Sequence, residues 1–339
     1  MKEIVKTLEE LLKINSPTGF TDDVIKHIEN IFKSEEKLFI RKTNKGSLLI
    51  SFCEKPELVI TGHIDTLGAM VKEIKKNGRL KMTHIGGFAW NTVEGEGCTI
   101  FTNSGGTLRG SILLSKASGH VHGSQVNDLK RDDEAMEIRL DAKTGSVEDT
   151  KALGVQVGDF VAFDPRVEIT NGFVRSRHLD DKACAANILT AVKAMVDAGL
   201  QPVQTTYLHI SNYEEVGHGA SAGIPAEVAE LVTVDMAAVG EGQNSDEFHA
   251  TLCVKDSGGP YHHGLSQKMR RVAEANGIPY KVDIYPFYGS DGEAFWRAGG
   301  DVAVALIGPG VDASHNYERT HLDALLATSQ WITAYLLAE

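Results

Sequence analysis

The sequence predicts an α/β domain interrupted by an all-β insert. Segments of helical periodicity alternate with short apolar runs toward both ends of the chain. Between residues 70 and 165 this alternation gives way to glycine clusters (Gly86-Gly87, Gly95, Gly97, Gly105-Gly106) that punctuate short β-rich runs. Hydrophobic residues make up 42% of the 339, enough for a sizeable core. The expected organisation is a first part of the α/β domain over 1–69, an inserted β-rich domain over 70–165 and a second part over 166–339.

Taken in order, Ile4, Val5, Leu8, Leu11 and Leu12 stand at helical spacing, which predicts a helix over 2–14. NSPTG breaks that pattern, and a second helix is expected from Asp22 to Lys33. KLFIRK, SLLISF and ELVITGHIDTLG then read as strands. Within the insert CTIFT, RGSILLS, MEIRLDA and DFVAFDP do the same, with no helical periodicity between them. Exposed strand edges in such an insert need covering, which predicts self-association. After the insert, KACAANILTAVKAMVDA (182–198) predicts a helix with Ile188, Leu189, Val192 and Met195 on one stripe. TTYLHIS (205–211), LVTVD (231–235) and VAVALIG (302–308) read as buried strands, and LDALLATSQWITAYLLA as the last helix.

Composition narrows the function classes. The chain carries 34 Lys+Arg against 46 Asp+Glu, a formal charge of −12, whereas a nucleic-acid surface needs a basic stripe. No run approaches the ~20 apolar residues of a membrane span. Met1 leads straight into the charged, amphipathic KEIVKTLEELLKI, with no secretory apolar stretch, so a cytoplasmic location is expected. Cys53, Cys98, Cys184 and Cys253 are too scattered for a metal knuckle and too few for a disulfide framework.

Ligand-type side chains collect just past the ends of the apolar strands, where open α/β sheets place their ligands. His63-Ile64-Asp65 follows LVITG; with alternating side chains, His63 and Asp65 point the same way, and a carboxylate can hold an imidazole in one tautomer. His178-Leu179-Asp180-Asp181 opens the 182–198 helix. Glu214-Glu215 follows TTYLHIS, Asp235 ends LVTVD, and His315 lies in the loop after VAVALIGPG. Each has a plainer alternative. Asp180 or Asp181 could cap a helix, Glu214-Glu215 could be solvated loop charge, His63 could be structural, and Asp235 could be a turn former. His120-Val121-His122 reads as a polar strand edge with two imidazoles on one face. Together, two histidines and three or four carboxylates without sulfur suit two divalent cations of the zinc or cobalt type. Such a pair needs one further carboxylate to take a proton from water.

TGHIDTLG, HLDD at a helix start, YEEVGHGAS, TVDMA and the late ASHNYERTH occur in the order that resembles the dinuclear zinc aminopeptidases of the tetrahedral (TET) and glutamyl type, peptidase family M42. The likeness covers nearly the whole chain, including IGGFAW, the GxL-x-G of Gly106–Gly110 and MEIRLDA in the insert. It implies a mixed-sheet α/β/α metallopeptidase domain interrupted by a dimerisation and assembly domain, and a homo-oligomer as large as a dodecamer. By the same resemblance Asp180 bridges two metals, His63 and Asp235 complete one site, and Glu215 and His315 complete the other. Glu214 is then the general base, Asp65 supports His63, and Asp181 joins Asp180 through an unusual peptide bond. The chain departs from the family pattern in LDDK-A-C, EEVGHGAS, YGSDGEAF and SHNYERTH. None of these changes touches a metal residue; they bear on substrate preference, which neighbouring loops tune.

The reading is therefore a cytoplasmic metalloaminopeptidase acting on short peptides, with two divalent ions per subunit, zinc first and cobalt or manganese as alternatives. A metal-bridging water would be the nucleophile and Glu214 its base, and neither nucleic acid nor membrane is an expected partner. The rivals are another dimetal amidohydrolase (a carboxypeptidase or deacylase), a glycosidase using Glu214 and Glu215, and an assembly protein with structural metals. Adjacent residues on an extended chain point opposite ways, which disfavours the glycosidase pair.

Overall fold

The computed structural model describes residues 1–35, 38–52 and 55–338. Lys37 of the KLFIRK run, Cys53 and Glu339 lie outside those residues. The chain divides into two compact units, one of Met1–Thr66 with Arg166–Glu339, the other of Leu67–Pro165.

In the first unit the apolar runs become neighbouring parallel strands. Thr206–Ser211, Leu58–His63, Glu230–Val234 and Ala303–Asp312 lie side by side in that order. Among the described residues they form the middle of a twelve-stranded mixed sheet. Leu48–Ser51 and Phe39–Lys42 extend it antiparallel on one side, and Glu318–His321, Phe173–Ser176 and Glu168–Thr170 on the other. Ala250–Lys255 pairs antiparallel with the Ala303–Asp312 strand and parallel with Tyr280–Ile284.

Both faces of the central strands are covered, which is why they read as continuous apolar runs rather than alternating ones. Ile60, Val232 and Ile307 face the large core shared with the helices Lys2–Leu12, Asp22–Phe32, Leu179–Asp197, His263–Ala275 and Leu322–Leu336. Val59, Leu231 and Leu306, each one residue away, face a smaller core with Phe295 and Trp296 of the short helix Asp291–Arg297 and its end. The Leu179–Asp197 helix is buried on nearly every side through Val192, so Ile188, Leu189, Val192 and Met195 are only part of its packed surface. Burial of each such side chain is worth ~1.5–3 kcal/mol. Its small residues, Ala183, Ala185 and Ala186, let the neighbouring helices and the sheet approach from several directions.

Two further helices, His263–Ala275 and Asp291–Arg297, and the strands Glu168–Thr170, Phe173–Ser176, Ala250–Lys255, Tyr280–Ile284 and Glu318–His321 were not expected from the sequence. His263–Ala275 does carry a local stripe in Leu265, Met269, Val272 and Ala273. At seven residues, Asp291–Arg297 is too short to show one.

In the second unit Gly68–Ile74, Leu80–Ile85, Met136–Leu140, Thr107–Leu114, Gly97–Phe101 and Phe160–Phe163 close an antiparallel barrel around Val71, Met82, Ile100, Ile112, Ile138 and Phe163. Closure removes the open strand edges on which the expectation of self-association rested. The connections also include the helical turns Gly119–His122, Gln125–Asp128 and Val147–Ala152, too short for a readable periodicity. His120-Val121-His122 lies in the first of these and not on a strand, so its two imidazoles do not share a strand face.

Candidate metal centre

The parallel register brings the ligand-type residues to one end of the sheet. His63 is the last residue of its strand and pairs with Ser211, the last of its own. Glu214 and Glu215 lie just beyond Ser211, Asp235 follows Glu230–Val234 directly, and His315 follows Ala303–Asp312. Asp180 and Asp181 stand in the first turn of the Leu179–Asp197 helix with non-helical backbone angles, joined by a cis peptide. This end of the strands is the crevice in which open α/β sheets bind ligands.

Asp180 occupies the centre. Its Oδ1 lies 3.1 Å from His63 Nε2 and its Oδ2 3.4 Å from His315 Nε2. Glu215 Oε2 lies 3.6 Å from His315 Nε2, and Glu214 Oε2 lies 3.6 Å from His63 Nε2. Ligand atoms of His63, Asp180 and Asp235 all fall within 4.8 Å of one another. A cavity of about 380 Å³ opens onto Asp180, Glu214, Glu215, Asp235 and His315 and is flanked by Phe287 and Tyr288. A larger cavity of about 490 Å³, lined by Ile4, Leu326 and Leu337 among others, holds Glu3 as its one carboxylate and lies away from these groups.

Electrostatics mark the cluster as one that lacks positive charge. Burial, and after it Asp180, pushes Asp235 up to about 7. Burial also raises Glu214 and Glu215 well above the usual carboxylate range, with neighbouring carboxylates adding to it. For His63 burial works toward the neutral form, but Glu214 and Asp180 outweigh it and hold the imidazole well above its ordinary value. His315 shows the same balance, with burial opposed by Asp180 and Glu215, and rises to about 10. Among the described residues, Glu215 Oε1 is buried with no hydrogen-bond partner. Nitrogen and oxygen donors gathered this closely, with one carboxylate oxygen orphaned, fit a bound metal cation.

Asp65 lies beside His63 and also reaches the glutamate loop. His63 Nδ1 faces the Asp65 backbone carbonyl at 3.0 Å, with the carboxylate at 3.6 Å. The carboxylate also accepts from Thr18 Oγ1 at 2.7 Å and from the amides of Glu214 and Glu215 at 3.2 and 3.4 Å. It therefore orients the loop bearing both glutamates as well as lying beside His63. Asp181 accepts from the His63 amide at 3.2 Å, and a Cβ on Gly62 would come within 3.2 Å of that same carboxylate oxygen.

Two residues of the site escaped the sequence reading. Glu318 accepts from the Asp180 amide at 3.0 Å through one oxygen and from the His315 amide at 2.9 Å through the other, so it fixes both backbones. Its position three residues after His315 in SHNYERTH was the available signal. Asp291 accepts from Ser211 Oγ, from Thr61 Oγ1 at 3.2 Å and from the Ala220 amide at 2.8 Å, and holds the far side of the glutamate loop. His178, two residues before Asp180, stands at the N-cap position with a left-handed backbone (φ 72°), outside the three-donor cluster.

The chain is similar to known proteins along most of its length. The profile of the M42 glutamyl aminopeptidase family matches residues 46–330. YhfE of Bacillus subtilis (strain 168), which carries an aminopeptidase name, is 46% identical over 99% of this chain and 99% of its own. A lysyl aminopeptidase of Pyrococcus furiosus is 23% identical over 78% of this chain and 74% of its own. The Pyrococcus horikoshii TET1 peptidase, which can assemble into a tetrahedron or a large octahedral shell, superimposes with a TM-score of 0.87 at 22% identity, covering 99% of this chain and 100% of that one. The chain belongs to the M42 glutamyl aminopeptidase family, whose members are metal-dependent aminopeptidases.

Proposed function

We propose that this metal-dependent aminopeptidase holds two divalent cations and removes N-terminal residues from short peptides. The observation that carries the proposal is the Asp180 carboxylate, which directs one oxygen toward His63 and the other toward His315. Asp180, His63 and Asp235 would hold one ion, and Asp180, Glu215 and His315 the other. Zinc is the first candidate for this donor set, with cobalt or manganese as alternatives. Bound cations would polarise the scissile carbonyl and acidify water at the site.

The chain's own residues do the rest. Glu214 lies beside His63 with a side chain 16% exposed, so it reaches the cavity while staying shielded. Its raised carboxyl is suited to take a proton at Oε2 and pass it to the leaving amine nitrogen. Asp65 orients the Glu214 and Glu215 amides, and Glu318 fixes the backbones that carry Asp180 and His315. Phe287 and Tyr288 supply an apolar flank for the substrate side chain.

The assembly and location form part of the same reading. The Leu67–Pro165 barrel serves as the dimerisation domain of a homo-oligomer, as supported by the fold it shares with the shell-forming TET1 peptidase. Buried, unpaired Cys98, Cys184 and Cys253 favour a reducing, cytoplasmic setting. Among the described residues no helix is long and apolar enough to cross a membrane.

The test is a panel of aminoacyl-p-nitroanilides and short peptides, each free and N-acetylated, with zinc- or cobalt-loaded protein. Turnover confined to free amines and abolished by a chelator is the expected result. Equal cleavage of the acetylated forms would instead assign a deacylase or another amidohydrolase.

A further inference from the structure

The loop that bears Glu214 and Glu215 is tied down on its near side by Asp65 and by Asn212, whose Nδ2 donates to Thr21 Oγ1 at 2.8 Å. Past the glutamates the chain turns through Gly217 (φ 87°) and reaches the short 3-10 turn Gly219–Ser221. There it meets a side chain from a distant part of the sequence. Lys45, in the turn between the Phe39–Lys42 and Leu48–Ser51 strands, donates from Nζ to the carbonyls of His218 and Gly219 and to Ser221 Oγ, the last two at 2.8 and 3.0 Å. Three acceptors use the three donors of one ammonium group.

The surroundings make this contact a clamp rather than a passing surface bond. Gly46, at φ 91°, brings the hairpin tip so close to the loop that a Cβ there would stand 3.0 Å from Asn212 Nδ2. Tyr213 is a non-glycine residue in the left-handed region (φ 75°), with its ring stacked on His218 at 5.3 Å between centroids. Lys45 Nζ stands 5.8 Å from that ring. Gly219 has no room to retreat, since a Cβ there would lie 2.0 Å from Asp291 Oδ1. A residue such as Tyr213 keeps an uncommon backbone only where its neighbours over-determine it. The bonds from Lys45 fix the carbonyl end of the same turn.

We propose that Lys45 is a positioning residue for the aminopeptidase reaction, holding the far end of the 213–221 loop in the one turn that aims Glu214 at His63. The inference rests on the assignment of Glu214 as the proton carrier. Lys45 itself makes no contact with the reacting atoms. It acts through the backbone of His218 and Gly219, and a small displacement of a catalytic group is enough to matter.

The test compares Lys45→Met and Lys45→Arg with the wild type in the full-length, metal-loaded protein. Lys45→Met should lower kcat by ~10- to 100-fold, leave KM within about threefold and keep the wild-type metal content, while Lys45→Arg restores much of the rate. Amide hydrogen exchange over 213–221 should quicken by at least about tenfold in Lys45→Met and stay unchanged in the barrel unit. A Lys45→Met protein with kcat within about twofold of wild type, whatever its melting temperature, would overturn the proposal. So would unchanged exchange in the loop. If Lys45→Met does not fold, Lys45→Gln takes its place under the same criteria. A wild type inactive on every free-amine substrate would sink the functional reading instead, and the exchange measurement would still decide whether the clamp exists.

Discussion

Glu214 and Glu215 are neighbours in sequence with opposite surroundings. Glu214 faces His63 and the cavity, whereas Glu215 has a side chain 3% exposed, faces His315 and leaves Oε1 without a partner. A group that moves protons needs access, and one that binds metal needs convergence with other donors. Glu214→Gln should therefore keep the metal content and lose ~10²–10⁴ in kcat. Glu215→Gln should lose metal, with partial recovery of activity when metal is in excess. Mass spectrometry of metal content in the two purified variants separates these roles, and a Glu214→Gln protein that loses metal while Glu215→Gln retains it would reverse them. Local spacing makes the pair visible as candidates. Their division of labour is not local, because it depends on which imidazole each one meets.

Strands set the distances on which the site depends. Gly308, in the Ala303–Asp312 strand, has no space for a side chain: a Cβ would stand 1.8 Å from the Asp235 carbonyl oxygen. Gly308→Ala must push the Asp235 backbone away, at a cost of about 1–3 kcal/mol. A lower melting temperature together with lost metal is the expected result, and a variant with wild-type metal content would show that Asp235 does not depend on this packing. The Thr206–Ser211 strand carries a second consequence. His209 is fully buried, shares a hydrogen bond between Nδ1 and Thr61 Oγ1 at 3.0 Å, and is pushed down to about 3 by burial, then by the positive charge of Lys45. The unfolded histidine titrates near ~6.5, so folding favours the neutral ring. Its contribution is fully present above that value and is lost as pH falls toward the folded pKa. The slope in that window approaches ~1.4 kcal/mol per pH unit. His209→Gln should flatten the acid dependence of stability between about pH 6 and 4, measured by denaturant unfolding at matched metal loading. An unchanged slope would exclude His209 as its source.

For the whole molecule, the two units raise separate questions. The catalytic unit carries every proposed ligand, from His63 to His315. The barrel unit carries none of them and has its own core around Ile112, Ile138 and Phe163. A closed barrel has no open edge to cover, so its proposed assembly role must come from surface side chains rather than from strand addition. Light scattering at micromolar concentration should give a mass several times the 36.7 kDa of one chain. A monomer mass across that range would reject assembly and leave the catalytic proposal standing.

Much of this protein was legible in the sequence because much of it is local. The stripes of Ile4–Leu12 and Ile188–Met195 and the apolar runs LVITG, TTYLHIS and VAVALIG specify their elements through period and burial alone. His63, Asp180, Glu214, Glu215, Asp235 and His315 stand out because polar residues at the ends of apolar strands need a reason to be there. Only the tertiary structure decided which of these groups meet, with Asp180 between the two imidazoles. It also turned Asp65 toward the glutamate amides and brought Glu318, Asp291 and Lys45 onto the backbones that carry the site. These contacts join residues 71 to 174 positions apart, and strand order and register decide such pairings. Sequence spacing fixes a side chain's direction along its own element, while its partners are chosen by how the elements pack.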